Sequence, residues 1–179
     1  MYSIKNGKLT MSRFFNSPIV IPDGIKHVKM GWSFNSNIIL PHSIKILEFG
    51  WVFNKNIILP ESLRTLIMCW NFNKEIILPK KLVYIKVGRH YTQNININTK
   101  IVDISLCPAN TKISMFSSNI TTLILSVYLC KTLLNIFEHI NLTKIIIKQL
   151  QHSSKNYNCY KVPYGTDVIM SLYKMQQYK

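Results

Sequence analysis

Apolar and polar positions along this chain follow a pattern that returns every 19 residues. One copy reads Leu63, Leu66 and Met68, with variable residues between them. Leu66 and Met68 stand two residues apart, which is the spacing of a β-strand that buries one face. A short fixed period predicts a solenoid whose coils stack and whose strands pair in parallel. The triplet returns in seven copies, which start at Ile25, Ile44, Leu63, Leu82, Ile101, Ile120 and, after a longer interval, Leu142.

A second apolar phrase precedes each of four prolines at the same period: Pro22, Pro41, Pro60 and Pro79. Proline has no N–H to give to a ladder, so it predicts the end of the phrase and a corner of the coil. The degenerate copy 95–97 keeps its outer isoleucines but places Asn96 between them. We therefore expect the middle column to point outward as an exposed apolar patch, unless the assignment is shifted by one residue. That column is Val20, Ile39, Ile58 and Ile77.

The loop between the two phrases repeats glycine, phenylalanine and asparagine, as in Gly50, Phe53 and Asn54. Glycine at the strand exit predicts a turn with positive φ, although the third copy has Cys69 there. The aromatic column is expected to stack in the core. The asparagine column is expected to hydrogen-bond the loop amides. These columns are Phe15, Phe34, Phe53, Phe72 and Tyr91, and Asn16, Asn35, Asn54 and Asn73.

A tryptophan column, Trp32, Trp51 and Trp70, runs through the same loop. It has two interpretations: a structural ladder at the corner of the coil, or a platform that stacks bases or sugars. Arg89 occupies the next register and is expected to stack on Trp70.

The pattern drifts after residue 91. Helical spacing of apolar residues over 126–140 predicts a short helix in that longer repeat. Residues 151–164 are irregular. Thr166 or Asp167 can then cap a final helix with Ile169, Leu172, Tyr173 and Gln176 on one face. Because a solenoid needs a cap on its open end, this tail is the expected C-terminal cap.

The phrases Leu59-Pro60-Glu61-Ser62-Leu63 and Phe53-Asn54-Lys55-Asn56-Ile57 resemble the FNIP repeat. This leucine-rich-repeat-like family occurs in many copies in social amoebae and giant DNA viruses. The resemblance is strong over 14–82 and degenerate from 83 to about 150. It implies an interaction solenoid, and its pattern carries no catalytic residue, so we expect a protein that is not an enzyme.

The period and the resemblance together predict a mainly β fold. It is a leucine-rich-repeat-like parallel β-solenoid of about seven 19–22-residue coils, with a short helix in the last coil and a C-terminal capping helix. We expect a single domain over 1–179. Residues 1–13 form an N-terminal cap or degenerate first repeat, 14–150 form the repeats, and 151–179 form the C-terminal cap.

Recognition on a solenoid is carried by residues that vary while the core repeats. The candidate partner-binding residues therefore lie on the outward face of the strands, with plain solvated surface as the alternative. They are His27, Lys29, Ile46, Glu48, Thr65, Ile67, Tyr84, Lys86 and Asp103, with Tyr84 and Asp103 expected in one column. Another protein is the expected partner.

The chain has 22 Lys and Arg against 7 Asp and Glu, a net charge of +15. This charge suggests an alternative partner, a nucleic acid or other polyanion. The excess is spread along the chain, which makes it a weak signal. The best candidates for phosphate contacts form a basic stripe of Lys26, Lys45 and Arg64, with Lys81 nearby, and solubilising lysines are the competing interpretation. A structural accessory protein of a larger assembly is a third hypothesis.

No motif for catalysis, metal binding or a cofactor occurs, so we expect no cofactor and no metal. The four cysteines form no C-x-x-C pair. Neither a signal peptide nor a membrane-spanning apolar stretch is evident. The expected location is intracellular: the cytoplasm, or the host cytoplasm or virion if the protein is viral. The oligomeric state is left open.

Overall fold

The structure of this chain is a computed structural model that describes residues 1–107, 119–126, 142–150 and 167–173. These residues form strands and loops, and no helix occurs among them. The strands are β1 (Tyr2–Lys5), β2 (Lys8–Met11), β3 (Ile19–Val20), β4 (His27–Lys29), β5 (Ile38–Ile39), β6 (Ile46–Glu48), β7 (Thr65–Ile67), β8 (Tyr84–Lys86), β9 (Ile101–Asp103), β10 (Thr122–Ser126), β11 (Lys144–Leu150) and β12 (Asp167–Tyr173).

Ten of these strands form one sheet in the order β1-β2-β4-β6-β7-β8-β9-β10-β11-β12. All neighbours are parallel except β1 and β2, which form a hairpin turned by Asn6 and Gly7 at positive φ. Each coil thus adds one strand to the sheet, which makes a β-solenoid of about 6 turns. The count of seven coils stays a prediction, because 108–118, 127–141 and 151–166 lie outside the described residues.

The core lies between the main sheet and the second phrase. Its strand wall consists of the inward residues, among which Leu47, Leu66 and Ile85 are fully buried. Phe34, Phe53 and Phe72 are fully buried as well, and successive rings in their column stack with centroids 5.9 to 6.1 Å apart from Phe15 to Tyr91. The predicted aromatic column inside the coil is therefore confirmed.

The second phrase turns its middle residue outward, as predicted. Val20, Ile39, Ile58 and Ile77 are 66%, 64%, 91% and 91% exposed, and we call this column the outer ladder. The residues on either side of each, such as Ile57 and Leu59, pack against the core. β3 and β5 pair in parallel beneath the first two members.

The asparagine column forms the predicted hydrogen-bond ladder. The backbone N–H of each asparagine donates to the side-chain Oδ1 of the asparagine one coil before: Asn35 to Asn16 (2.8 Å), Asn54 to Asn35 (2.9 Å) and Asn73 to Asn54 (3.0 Å). The N–H of Thr92 donates to Asn73 (2.9 Å), where the column ends. These side chains are partly exposed, so the ladder runs along the corner of the coil.

The prediction of positive φ at the glycines of the loop is wrong. Among the described residues, glycines with positive φ occur only at Gly7 and Gly24. A Cβ on Gly50 would lie 1.8 Å from the carbonyl oxygen of Gly31, and a Cβ on Gly88 would lie 1.9 Å from that of Cys69. Glycine is used here because the backbones of adjacent coils approach too closely for a side chain.

The register predicted for the fifth coil is wrong by two residues. β9 pairs with β8 so that Tyr84 lies beside Ile101, and Lys86 lies beside Asp103. Asp103 therefore does not share a column with Tyr84. The inward triplet of this coil is Thr99, Val102 and Ile104, and the polar first member was missed. Thr99 is 2% exposed, and its hydroxyl donates to the carbonyl of Val83 at 2.6 Å.

The predicted C-terminal capping helix is contradicted where the structure describes it. Residues 167–173 form β12, which pairs in parallel with β11 over seven residues. Val168 and Ile169 are β-branched and favour a strand, and the free edge of β11 offers unpaired backbone groups. The short helix predicted over 126–140 falls almost wholly outside the described residues, and Ser126 ends β10.

Candidate interaction surface

The strand face is the outward side of β4, β6, β7, β8 and β9. The structure brings the predicted residues together in two columns: His27, Ile46, Thr65 and Tyr84, and beside them Lys29, Glu48, Ile67 and Lys86. Most of these side chains are half-buried because neighbouring coils lie close together. The face is therefore a continuous surface with Ile46 and Ile67 near its middle.

A charged cluster lies at the β4 end of the strand face. The Nε2 of His27 is 2.6 Å from Oε1 of Glu48, and the Nζ of Lys29 is 3.8 Å from Oε2 of the same carboxylate. Glu48 thus bridges two basic side chains from the adjacent coil. This arrangement fixes the orientation of Glu48 and leaves Lys29, whose side chain is 52% exposed, open to solvent.

A polar cluster lies at the β9 end. The hydroxyl of Tyr84 donates to Oδ2 of Asp103 at 3.1 Å, and the N–H and hydroxyl of Ser105 donate to Oδ1 at 3.0 and 2.6 Å. Burial of Tyr84, together with the charge of Asp103 and this hydrogen bond, raises the pKa of Tyr84 far above its usual value. Asp103 is only 1% exposed, so its carboxylate serves the surface through Tyr84.

The basic stripe is continuous over three coils. Lys26, Lys45 and Arg64 share one register through backbone hydrogen bonds, and the next member is Val83, two residues beyond Lys81. Lys26 and Lys45 are exposed. The guanidinium of Arg64 donates to carbonyls of its own turn, including that of Ser62 at 2.8 Å, so this arginine stabilises the corner.

A basic groove lies next to the stripe and was not predicted from the sequence. Its volume is about 520 Å³, and no acidic residue lines it. The groove opens where the short fifth coil meets its neighbours, so it depends on a register that the period did not reveal. Its lining is Lys80, Lys81, Leu82, Val83, Asn98, Thr99, Lys100, Asn119 and Thr121.

The tryptophan column is a closed stack. Trp32 and Trp51 stack with centroids 4.5 Å apart, and Trp51 and Trp70 with centroids 4.4 Å apart. The guanidinium of Arg89 lies 5.0 Å from the ring centre of Trp70, as predicted, and that of Arg13 lies 5.5 Å from Trp32 at the other end. Arg13 stands 19 residues before Trp32, which was the available signal. Both terminal ring faces carry a cation, so the geometry favours the structural ladder over a stacking platform.

The described residues contain no group of three or more His, Cys, Asp or Glu that could hold a metal ion. Nothing in these same stretches forms a helix that could span a lipid bilayer. Cys69 and Cys107 are free and buried. Burial raises the pKa of the Cys69 thiol, whose Sγ donates to the carbonyl of Phe53 at 3.3 Å.

The coil geometry agrees with comparisons at the sequence level. The FNIP Repeat matches three overlapping stretches of the chain: 15–51, 34–70 and 53–90. Residues 15–90 are FNIP repeats. These matches span the coils that contain the aromatic column, the asparagine ladder and the tryptophan stack. No curated protein matches the chain at a significant level.

Among solved structures, the crystal structure of CroV588, a circular leucine-rich-repeat protein of a giant virus, is similar to this chain. The TM-score is 0.65 at 24% sequence identity. The similarity covers 91% of this chain and 26% of CroV588, so the FNIP chain spans about a quarter of the length of that protein. At this identity the similarity shows a shared leucine-rich-repeat-like fold.

Proposed function

We propose that this FNIP-repeat chain is a non-catalytic scaffold that binds another protein through its strand face. The observation that carries the proposal is the contrast between the two sides of each strand. Inward residues stay apolar from coil to coil, whereas outward residues change in charge, size and polarity. A repeated core with a varied surface is how solenoids present a binding site.

The composition of the strand face supports protein recognition. Ile46 and Ile67 supply apolar area near the middle, and polar groups surround them. Glu48 is already oriented by His27, and Tyr84 is already oriented by Asp103. Side chains held in place before binding lose less conformational entropy when a partner docks, which favours affinity.

The proposal is tested with a partner captured from the native cell, identified by mass spectrometry and then purified. The double variant Thr65→Arg and Ile67→Arg places two bulky cations in the middle of the strand face. We expect affinity to fall about tenfold or more, because central contacts dominate most interfaces. The matched control is Asn94→Arg with Asn96→Arg, which adds the same charge at exposed positions elsewhere. Unchanged affinity in the folded strand-face variant would contradict the proposal.

A second candidate function is polyanion binding, favoured by the basic groove. Lys80, Lys81 and Lys100 converge there with the amide side chains of Asn98 and Asn119. Ammonium groups that neutralise phosphates release counterions, so binding should weaken steeply with salt.

The groove is tested with duplex DNA titrated at several salt concentrations. Exchange of Lys80, Lys81 and Lys100 for Glu should reduce the slope of log affinity against log salt by about 0.9 for each phosphate that is no longer neutralised. The matched control exchanges three exposed lysines elsewhere, Lys5, Lys26 and Lys45. Equal weakening in both triple variants would assign binding to the overall charge, and absence of binding at low salt would exclude this function.

A further inference from the structure

We infer that two copies of this chain associate through the outer ladder, with the two ladders running in opposite directions about a two-fold axis. The ladder is contiguous, apolar and 64% to 91% exposed. It lies across the core from the strand face, because both walls turn their inward residues toward the same interior. Contiguous apolar patches of this kind mark contact sites. The inference is independent of the function proposed above, since the strand face stays free.

The spacing of the ladder favours a second solenoid as its occupant. One side chain projects from each coil, and neighbouring coils are ~4.7–4.9 Å apart. An extended strand presents side chains on one face every ~6.6 Å, and an α-helix presents every fourth residue every ~6 Å. Either would lose register over the four rungs. A second copy repeats at the same distance, so side chains on both ladders can interdigitate along the whole length.

The charges beside the ladder favour a second copy in the opposite direction. The residues that follow the four prolines form a flanking column of exposed side chains: Asp23, His42, Glu61 and Lys80. A two-fold axis perpendicular to the ladder places this column against the same column reversed. Asp23 then faces the partner's Lys80, and His42 faces the partner's Glu61. The column is therefore complementary to itself.

The other flank agrees with the same arrangement. Its column reads Ser17, Ser36, Lys55 and Lys74, so reversal places each lysine opposite a serine of the other copy. An axis parallel to the ladder would instead bring the two flanks together and place Lys80 near the partner's Lys74. Like charges across an interface oppose association, so the antiparallel arrangement is favoured.

Size-exclusion chromatography with light scattering and analytical ultracentrifugation test the association. We expect a dimer with a dissociation constant in the micromolar range, because an interface of this size lies at the low end for stable complexes. Measurements at ~0.15 M salt screen the repulsion between the two basic chains beyond ~8 Å. A chain that stays monomeric at ~100 μM, well above a micromolar dissociation constant, would overturn the inference.

Ile58→Lys and Ile77→Lys identify the surface. Both side chains are 91% exposed, so the fold should tolerate the change and the thermal midpoint should stay within ~2 °C. We expect at least a tenfold loss of dimerisation in each. The matched control is Phe14→Lys, another exposed apolar residue (79%) that lies off the ladder. A dimer that survives the ladder variants, or that Phe14→Lys disrupts equally, would overturn the assignment.

Cysteine cross-linking identifies the direction, in a background with Cys130 and Cys159 exchanged for Ser. Val20→Cys on one copy should form a disulfide with Ile77→Cys on the other, whereas Val20→Cys alone should not cross-link to itself. Efficient self-linking of Val20→Cys would overturn the antiparallel arrangement. As a second measurement, Lys80→Asp should weaken the dimer roughly fivefold and Asp23→Lys should restore it in the double variant. Failure of the double variant to recover would also contradict this geometry.

Discussion

Residues 8–91 and residues 92–173 contribute to the same sheet, but their coils follow different rules. From β2 to β8, each strand pairs with the residue 19 positions later. Beyond that point Tyr84 pairs with Ile101, Ile101 with Thr122, Thr122 with Lys144 and Lys144 with Asp167, at intervals of 17, 21, 22 and 23. The sheet nevertheless continues without a change of direction.

The difference separates what specifies a strand from what specifies a coil length. Inward apolar residues on the strands are present in both regions, and they are sufficient to keep neighbouring strands paired. The interactions that repeat between loops, such as the phenylalanine stack and the asparagine ladder, end at Tyr91 and Thr92. Where those interactions are present the coil has one length, and where they end the length varies.

The largest expected effect comes from removing an interior member of the aromatic column. Phe53 is fully buried and stacks on Phe34 and Phe72, so Phe53→Ala leaves a cavity between these two rings. The free energy of unfolding should fall by about 3–5 kcal/mol, as measured by urea denaturation. A decrease below about 1 kcal/mol would show that this column does not hold the regular coils together.

An intermediate effect is expected in the asparagine ladder. Asn54→Ala removes the acceptor for the N–H of Asn73 and should lower the free energy of unfolding by about 1–2 kcal/mol. Asn94→Ala is the control, because this exposed asparagine lies beyond the ladder and should change stability by less than about 0.5 kcal/mol. Equal effects in the two regions would contradict the role assigned to the ladder.

The smallest effect, and one of opposite sign, is expected at the boundary. The hydroxyl of Tyr91 is buried without a hydrogen-bond partner among the described residues. Tyr91→Phe should therefore stabilise the chain by about 1 kcal/mol. A destabilised Tyr91→Phe would indicate that the hydroxyl is satisfied after all.

The same tyrosine gives the prediction a pH dependence. Burial, with a contribution from Glu75, raises the pKa of Tyr91 from 10.0 to about 12. A pKa raised in the folded state means that its contribution is complete below pH 10 and is lost as pH rises toward 12. Between these values the wild type should lose more stability than Tyr91→Phe, which denaturation at pH 9 and pH 11 would measure.

Much of the regular region could be predicted from the sequence because each feature there is repeated. Asn96, in the one degenerate phrase, was enough to orient the outer ladder. The steric reason for Gly50 was missed, because a short approach between backbones leaves the same trace in sequence as a positive φ. The family resemblance correctly indicated a leucine-rich-repeat-like solenoid.

The later region was harder to predict because its repeats are tied to tertiary contacts. Thr99 occupies an inward position that is apolar in other coils, and only its hydrogen bond to Val83 makes this acceptable. Counting 19 residues instead selected Ile101, which shifted Asp103 into the wrong column. The basic groove depends on this same shift. At the C-terminal end, apolar spacing compatible with a helix was overruled by pairing with β11.

The closed tryptophan stack has an optical consequence. All three tryptophans of the chain belong to it, so intrinsic tryptophan emission reports only on the coils between Trp32 and Trp70. Indole rings about 4.4–4.5 Å apart couple electronically and should give a paired signal of opposite signs in circular dichroism near their absorption bands. That signal will disappear when these coils separate, whereas unfolding of the strands after Tyr91 will leave it unchanged. A single chain thus carries a spectroscopic label on one of its two regions.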